Sequence, residues 1–336
     1  MNSPIIFLKF AKNIYMKKVI GIGNALVDLM TKIDNEQLLS ELNLPKGSMQ
    51  LVDKDMSSKI ITKTKNLNRI ITSGGSAANT IHGLARLGVE TAFIGKIGSD
   101  EMGNHFKNDL QKSGIKPFLL ESDSNSGVAV ALVSPDGERT FATFLGAAVE
   151  LSENDLHASF FNDYHFLHIE GYLIQNYALI EKACQLAKAN NLKISLDLAS
   201  YNVVEAHRDF LTHISKDFAD IIFANEEEAK AMTGKNPEEA VNQIADWCEI
   251  AVVKTGKEGS LVKTEGKIYK ISSFNANVVD TTGAGDLYAA GFIYGLLKNK
   301  TVSECGRIGS LLATNVIEQI GAKIPDNKWE MIKQNL

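Results

Sequence analysis

Asp280-Thr281-Thr282-Gly283-Ala284-Gly285-Asp286 sets two glycines and a terminal carboxylate directly before the apolar run from Leu287 to Leu297. The glycines free the backbone for a tight turn, and the apolar run reads as a helix starting beside Asp286. Backbone N–H groups at such a start have no intrahelical partner and sit at the positive end of the dipole, so Gly283, Ala284 and Gly285 form a candidate anion hole. A carboxylate there can take the proton from a hydroxyl as it attacks a phosphoryl group, while the N–H groups stabilise charge on the phosphate oxygens. Read alone, the same residues are a Gly-rich turn in which Asp286 only caps the helix. An upstream stretch, Gly74-Gly75-Ser76-Ala77-Ala78-Asn79, argues against that reading. Paired glycines let the backbone approach a ligand closely, and Asn79, one turn into the next helix, can donate to and accept from vicinal hydroxyls.

These residues need a scaffold that gathers strand ends and helix starts. Apolar runs predict strands at Val19–Ile22, Thr91–Ile94, Phe166–Ile169, Lys193–Leu196, Ile221–Phe223 and Ile250–Val253. Helices are predicted between them at Ala77–Leu87, Met102–Lys112, Tyr177–Ala189, Glu226–Thr233, Pro237–Trp247 and Ala284–Leu297. Short continuous apolar strands alternating with helices imply an α/β fold, a doubly wound, mostly parallel sheet with helices on both faces. Two stretches break the alternation: the polar segment Thr31 to Asn68, and Gly127 to Val133, which turns at Ser134-Pro135-Asp136-Gly137 into Arg139-Thr140-Phe141-Ala142. The second is a hairpin by its turn residues. Both are assigned to a small lid, formed by about 29–72 and 124–148.

Composition narrows the partners. The chain has 336 residues, 44% hydrophobic and 22% charged, with a formal net charge of −5. That suits a large globular core, and without a block of five basic residues there is no footprint for nucleic acid or an anionic membrane. Cys184, Cys248 and Cys305 are odd in number and lack C-x-x-C spacing, which suits free thiols and a cytoplasmic setting. Pro4 to Leu8 is apolar, but Lys9 and Lys12 follow it and no small-residue cleavage site does, so residues 1–16 are read as an N-terminal extension.

The two Gly-rich motifs together, with Thr91 to Gly103 between them, resemble the ribokinase (PfkB) family of ATP-dependent sugar and nucleoside kinases, from about Lys17 to Pro325. The resemblance implies a ribokinase-like kinase domain over 17–336, with Asp286 as catalytic base. It implies substrate contacts for Asn24, Asp28, Gly75, Ser76 and Asn79, and places Arg139 on the lid hairpin within reach of the transferring phosphate. Asn225-Glu226-Glu227-Glu228 is similar to the family's Asn-x-x-Glu element, which would organise Mg²⁺ through ATP phosphates and water near Glu228. Lys254-Thr255-Gly256-Lys257-Glu258-Gly259 matches a nucleotide-side turn usually written Thr-x-Gly-x-x-Gly, with Lys254 in place of the threonine and Gly256 and Gly259 retained. Asn315 falls where the family walls the nucleotide base. Family members often respond to K⁺, and Asp280 is the carboxylate that would help hold it.

Within the family, Gly23 to Asp28, Gly74 to Ser76 and Leu44 to Leu51 are most similar to the adenosine kinase subgroup. Tyr172 can stack on a purine. Glu170, in contrast, is a residue type of the sugar-kinase branch. The expected activity is therefore ATP- and Mg²⁺-dependent phosphorylation of a primary hydroxyl, the 5′-hydroxyl of adenosine or a related nucleoside, by a monomer or homodimer. The alternatives are a kinase for ribose, fructose or a keto-sugar acid, and a non-catalytic nucleoside-binding protein. Dinucleotide binding is set aside because Leu26 replaces the third glycine of G-x-G-x-x-G, and no P-loop sequence occurs. His165 and His168 lie on opposite faces of a strand and make a poor metal pair.

Overall fold

The structure, a computed structural model, describes residues 17–336; the expected extension at 1–16 lies outside the described residues. The strands run β1 Val19–Ile22, β2 Leu26–Lys32, β3 Met49–Leu51, β4 Arg69–Gly74, β5 Thr91–Gly98, β6 Ile115–Ser122, β7 Gly127–Val133, β8 Arg139–Phe144, β9 Phe166–Glu170, β10 Lys193–Asp197, β11 Ile221–Asn225, β12 Ile250–Lys254, β13 Ser260–Thr264 and β14 Lys267–Ile271. Among the described residues they form a nine-stranded sheet in the order β14-β13-β12-β11-β10-β9-β1-β5-β6 and a five-stranded sheet in the order β3-β8-β7-β2-β4. Strands from β12 through β6 in that order are mutually parallel, and β13 and β14 add an antiparallel edge.

Alternate side chains of the central strands enter opposite cores, as a period of two requires. Phe93, Phe223 and Val252 pack on helices Ser76–Arg86, Ala284–Leu297 and Val302–Ile317. Ile94, Ile222, Ala224, Ala251 and Val253 pack on helices Tyr177–Ala189, Tyr201–Asp217, Glu226–Thr233 and Pro237–Ile244. The last of these stops at Ile244, three residues short of the sequence expectation. Helix Ala284–Leu297 is apolar nearly all round and almost wholly buried, and Gly291 and Gly295 let helix Val302–Ile317 lie directly against it; a Cβ at Gly291 would sit 2.7 Å from the Ile308 carbonyl.

The polar segment and the hairpin meet in the smaller sheet. β7 and β8 pair antiparallel from Val128↔Phe144 to Val133↔Arg139, and β2 pairs with both β7 and β4. That sheet begins at Leu26, three residues before the expected lid boundary, because Leu26 already pairs with Gly127 and Gly74. Val27, Leu29, Val130 and Leu132 bury one face against Leu39, Leu42 and Ile60, so the other face is left for the large domain. No helix among the described residues is long and apolar enough to cross a membrane.

Because β1 sends the chain to β5 on one side and meets β9 on the other, the sheet reverses its winding there and leaves a crevice at the carboxyl ends of its strands. Phe292, fully buried with its ring edge-on to Phe223 at 5.7 Å, fixes the helix that carries Asp286 above that crevice. Phe292→Ala should lose about 3–5 kcal/mol of stability. Urea unfolding followed by far-UV circular dichroism would read this as a lowered midpoint.

Candidate active site

The carboxyl ends of β1, β9, β10, β11 and β12, the start of helix Ala284–Leu297 and the free face of the smaller sheet enclose one cavity of about 1750 Å³, wide enough for a nucleotide and an acceptor side by side. Asn24, Asp28, Gly75, Ser76, Asn79, Tyr172, Asn225, Glu228, Lys254, Gly256, Gly259 and the run Gly283 to Asp286 all line it.

Gly283 adopts φ 77° just before the helix, a left-handed conformation that favours glycine, and a Cβ there would also meet Ala322 at 2.7 Å. The turn differs from expectation in one detail. The N–H of Ala284 bonds back to the Thr281 carbonyl at 3.2 Å, whereas those of Gly283, Gly285 and Asp286 have no acceptor among the described residues. The N–H groups left open for an anion are therefore those of Gly283, Gly285 and Asp286.

Asp286 is held by two donors from the other Gly-rich motif: Ser76 Oγ donates to Oδ1 at 2.7 Å and Asn79 Nδ2 to Oδ2 at 2.9 Å. Burial pushes its pKa up to about 6, with Asn79 and Ser76 pulling the other way. Asn79 is thus tied to Asp286 rather than left entirely for a ligand; its Oδ1 is buried without a donor among the described residues, as is Oδ1 of Asn24. Asp28 projects from β2 over the bare Cα of Gly74, where any Cβ would overlap its carboxylate. Burial raises its pKa to about 7, Lys323 opposes this, and Asp286 adds to it.

Glu170 ends β9 at the winding reversal, 1% exposed. Its carboxylate accepts from Asn24 Nδ2 at 2.7 Å, Asn24 N at 3.2 Å and Ala77 N at 3.0 Å. It braces the loop after β1 and the first turn of helix Ser76–Arg86. Its pKa rises to about 7, burial outweighing those bonds.

Across the cavity Asn225 and Glu228 form a reciprocal cap: Glu228 N donates to Asn225 Oδ1 at 2.8 Å and Asn225 N to Glu228 Oε2 at 2.8 Å. Burial takes Glu228 to about 7 despite Lys254. Asp197, which the sequence reading did not single out, closes this side from the end of β10 and pairs with Lys254. Its signal was its place, since an acidic residue ending a central parallel strand faces the crevice.

Two expectations are corrected. Asn315 does not line the cavity: its Nδ2 bonds back to the Leu311 carbonyl at 2.9 Å, while Ser310, Ala313, Thr314 and Ile317 present the cavity face of that helix. Arg139 is not free for a phosphate, because its guanidinium pairs with Asp280 and donates to Thr282 Oγ1 at 3.0 Å. Asp280, expected to help hold a monovalent cation, meets protein donors as well. Its carboxylate already accepts from Thr282 N at 2.8 Å, Gly321 N at 2.7 Å and Arg139, and these donors, against the effect of burial, hold its pKa below the usual range.

A doubly wound sheet with a buried carboxylate beside a glycine-framed helix start defines a phosphotransferase with a hydroxyl acceptor. The sequence profile of the pfkB family carbohydrate kinases matches residues 55–329, and the chain belongs to that family. The structure is similar to that of adenosine kinase from Sinorhizobium meliloti, 31% identical with a TM-score of 0.85 over 96% of this chain and 100% of the other. A probable sugar kinase protein from Rhizobium etli CFN 42 is equally similar, 31% identical with a TM-score of 0.85 over 95% and 98%. A ribokinase from Haemophilus influenzae is 31% identical over 275 residues, 76% of this chain and 84% of its own.

The pKa of Asp286 sets a pH dependence. Protonation disables a base, so turnover should fall as pH drops through about 6. Ser76→Ala removes a bond that favours the ionised form, so its acidic limb should move to higher pH. The pH profiles of kcat/KM for the two proteins measure the displacement.

Proposed function

We propose that the protein transfers the γ-phosphate of ATP to the 5′-hydroxyl of adenosine or a closely related nucleoside. Asp28 and the Oδ1 atoms of Asn24 and Asn79 are acceptors that lack donors among the described residues, and the hydroxyls of a ribose would supply them. Asp286 takes the 5′-hydroxyl proton as that oxygen attacks. Gly285 and Asp286 N–H groups stabilise the phosphoryl oxygens. Glu228 and Asp197, two carboxylates in the cavity wall with a single ammonium between them, fit a site that receives a hydrated cation. Mg²⁺ bound with ATP would neutralise the triphosphate there.

The observation that carries the nucleoside reading is the apolar wall on edge strand β3. Met49 is 54% and Leu51 63% exposed, and both face the cavity with Phe141 beside them. Burying such a side chain fully contributes about 1.5–3 kcal/mol, which a flat heterocycle provides and a free sugar does not. Glu170 supports the same reading, since its oxygens already serve Asn24 and Ala77. The likeness to an adenosine kinase agrees with it, and the likeness to a probable sugar kinase and a ribokinase defines the rival.

ADP release across a panel of nucleosides and free sugars tests the acceptor: adenosine should exceed ribose and fructose by about 10²-fold or more in kcat/KM. Turnover of a free sugar with none on any nucleoside would refute it. Asp286→Asn should lower kcat by about 10²–10⁴-fold with little change in adenosine affinity by calorimetry.

A further inference from the structure

Lys254 brings a cation to the anion hole from the opposite side of the crevice. It ends β12, its side chain is 15% exposed, and its Nζ lies 3.0 Å from Asp197 Oδ2. A Cβ built on Gly285 would come within 3.0 Å of that same Nζ. The ammonium therefore rests in the space that any side chain at 285 would fill, against the residue whose N–H is open to a ligand. An ammonium has three donors. Only the bond to Asp197 is made among the described residues, which leaves the other two at the cavity wall. A threonine at 254, the usual residue of this turn, is too short to reach Gly285.

We propose that Lys254 is a catalytic residue, its ammonium bonding the oxygens of the phosphoryl group in transit beside the N–H groups of Gly285 and Asp286, with Asp197 the positioning residue that holds it there. The inference rests on the phosphotransfer reading of the site and is independent of which acceptor is used. As the acceptor oxygen bonds to the γ-phosphorus, its proton passes to Asp286. The bond from that phosphorus to the β–γ bridging oxygen breaks, and its electron pair leaves with ADP. Lys254 stays protonated throughout and moves no proton; it stabilises negative charge from a largely buried position, where one such donor matters most. Burial opposes the charged ammonium, but Asp197, Glu228 and Asp286 outweigh it and hold Lys254 protonated.

Lys254→Met, Lys254→Arg and Asp197→Asn test this with two measurements. Turnover of Lys254→Met should fall by about 10²–10³-fold, with Lys254→Arg recovering part of the loss and Asp197→Asn losing kcat while KM for ATP holds. Calorimetry of Mg²⁺ with ADP alone, and of Mg²⁺ with ADP and aluminium fluoride, needs no acceptor and so separates this proposal from the adenosine assignment. The aluminium fluoride complex, which mimics the phosphoryl group in transit, should weaken far more than ADP does. Equal weakening of both, or a folded Lys254→Met with kcat within about 3-fold of the parent, would overturn the proposal. Should Lys254→Met fail to fold because Asp197 is left buried without its cation, the Lys254→Met/Asp197→Asn double variant is read by the same criteria.

Discussion

A buried carboxylate at the point where the sheet reverses its winding governs the rest of the site. Glu170 is almost without solvent, and an unpaired charge there would be strongly destabilising. Three donors meet it, two from Asn24 and one from the first turn of helix Ser76–Arg86. In satisfying Glu170, the chain fixes where that helix begins, and with it the direction in which Ser76 and Asn79 point. Both then reach Asp286 across the crevice. One carboxylate, Asp286, is thus oriented by another, Glu170, through the helix that lies between them.

Cations tie the smaller sheet to the loops and helices of the large domain. Arg139 extends from β8 to Asp280 and Thr282 just before the anion hole, and Lys323 reaches Ser73 on β4 and Asp109. Both ties end near one short loop, because Gly321 also donates to Asp280 and Ala322 packs on Gly283. The smaller sheet is therefore linked electrostatically to the glycine turn before Asp286. Such ties in a partly buried setting are screened less by salt than surface pairs.

Much of the fold could be read from local pattern. The central strands and the helices at 177–189, 226–233 and 284–297 follow runs of apolar residues at the right period. Helix Tyr201–Asp217 was not among the predicted helices, although Val204, Leu211 and Ile214 share its buried face; it is interrupted at His207, where φ is −128°. In the site, Asp286, the glycine turn and Asp28 were readable because unusual backbone and a lone acid announce themselves in sequence. Pairing across the molecule was not. Nothing local says that Glu170 turns toward Asn24 rather than toward a sugar, or that Arg139 meets Asp280. Asn315 fails for a geometric reason: the cavity face of its helix carries residues 310, 313, 314 and 317, and one further step turns a side chain about 100° away.

The bond between Ser76 and Asp286 spans 210 residues of chain. On a ribosome, the half of the crevice made by β1, Glu170 and helix Ser76–Arg86 emerges long before Asp286, which completes it. Helix Ala284–Leu297 is apolar nearly all round and needs helix Val302–Ile317 as cover, so it cannot settle until still later sequence has been made. A nascent chain consequently carries the Glu170 and Ser76 side of the crevice without Asp286, and the bonds from Ser76 and Asn79 to that carboxylate close only after helix Val302–Ile317 has been made.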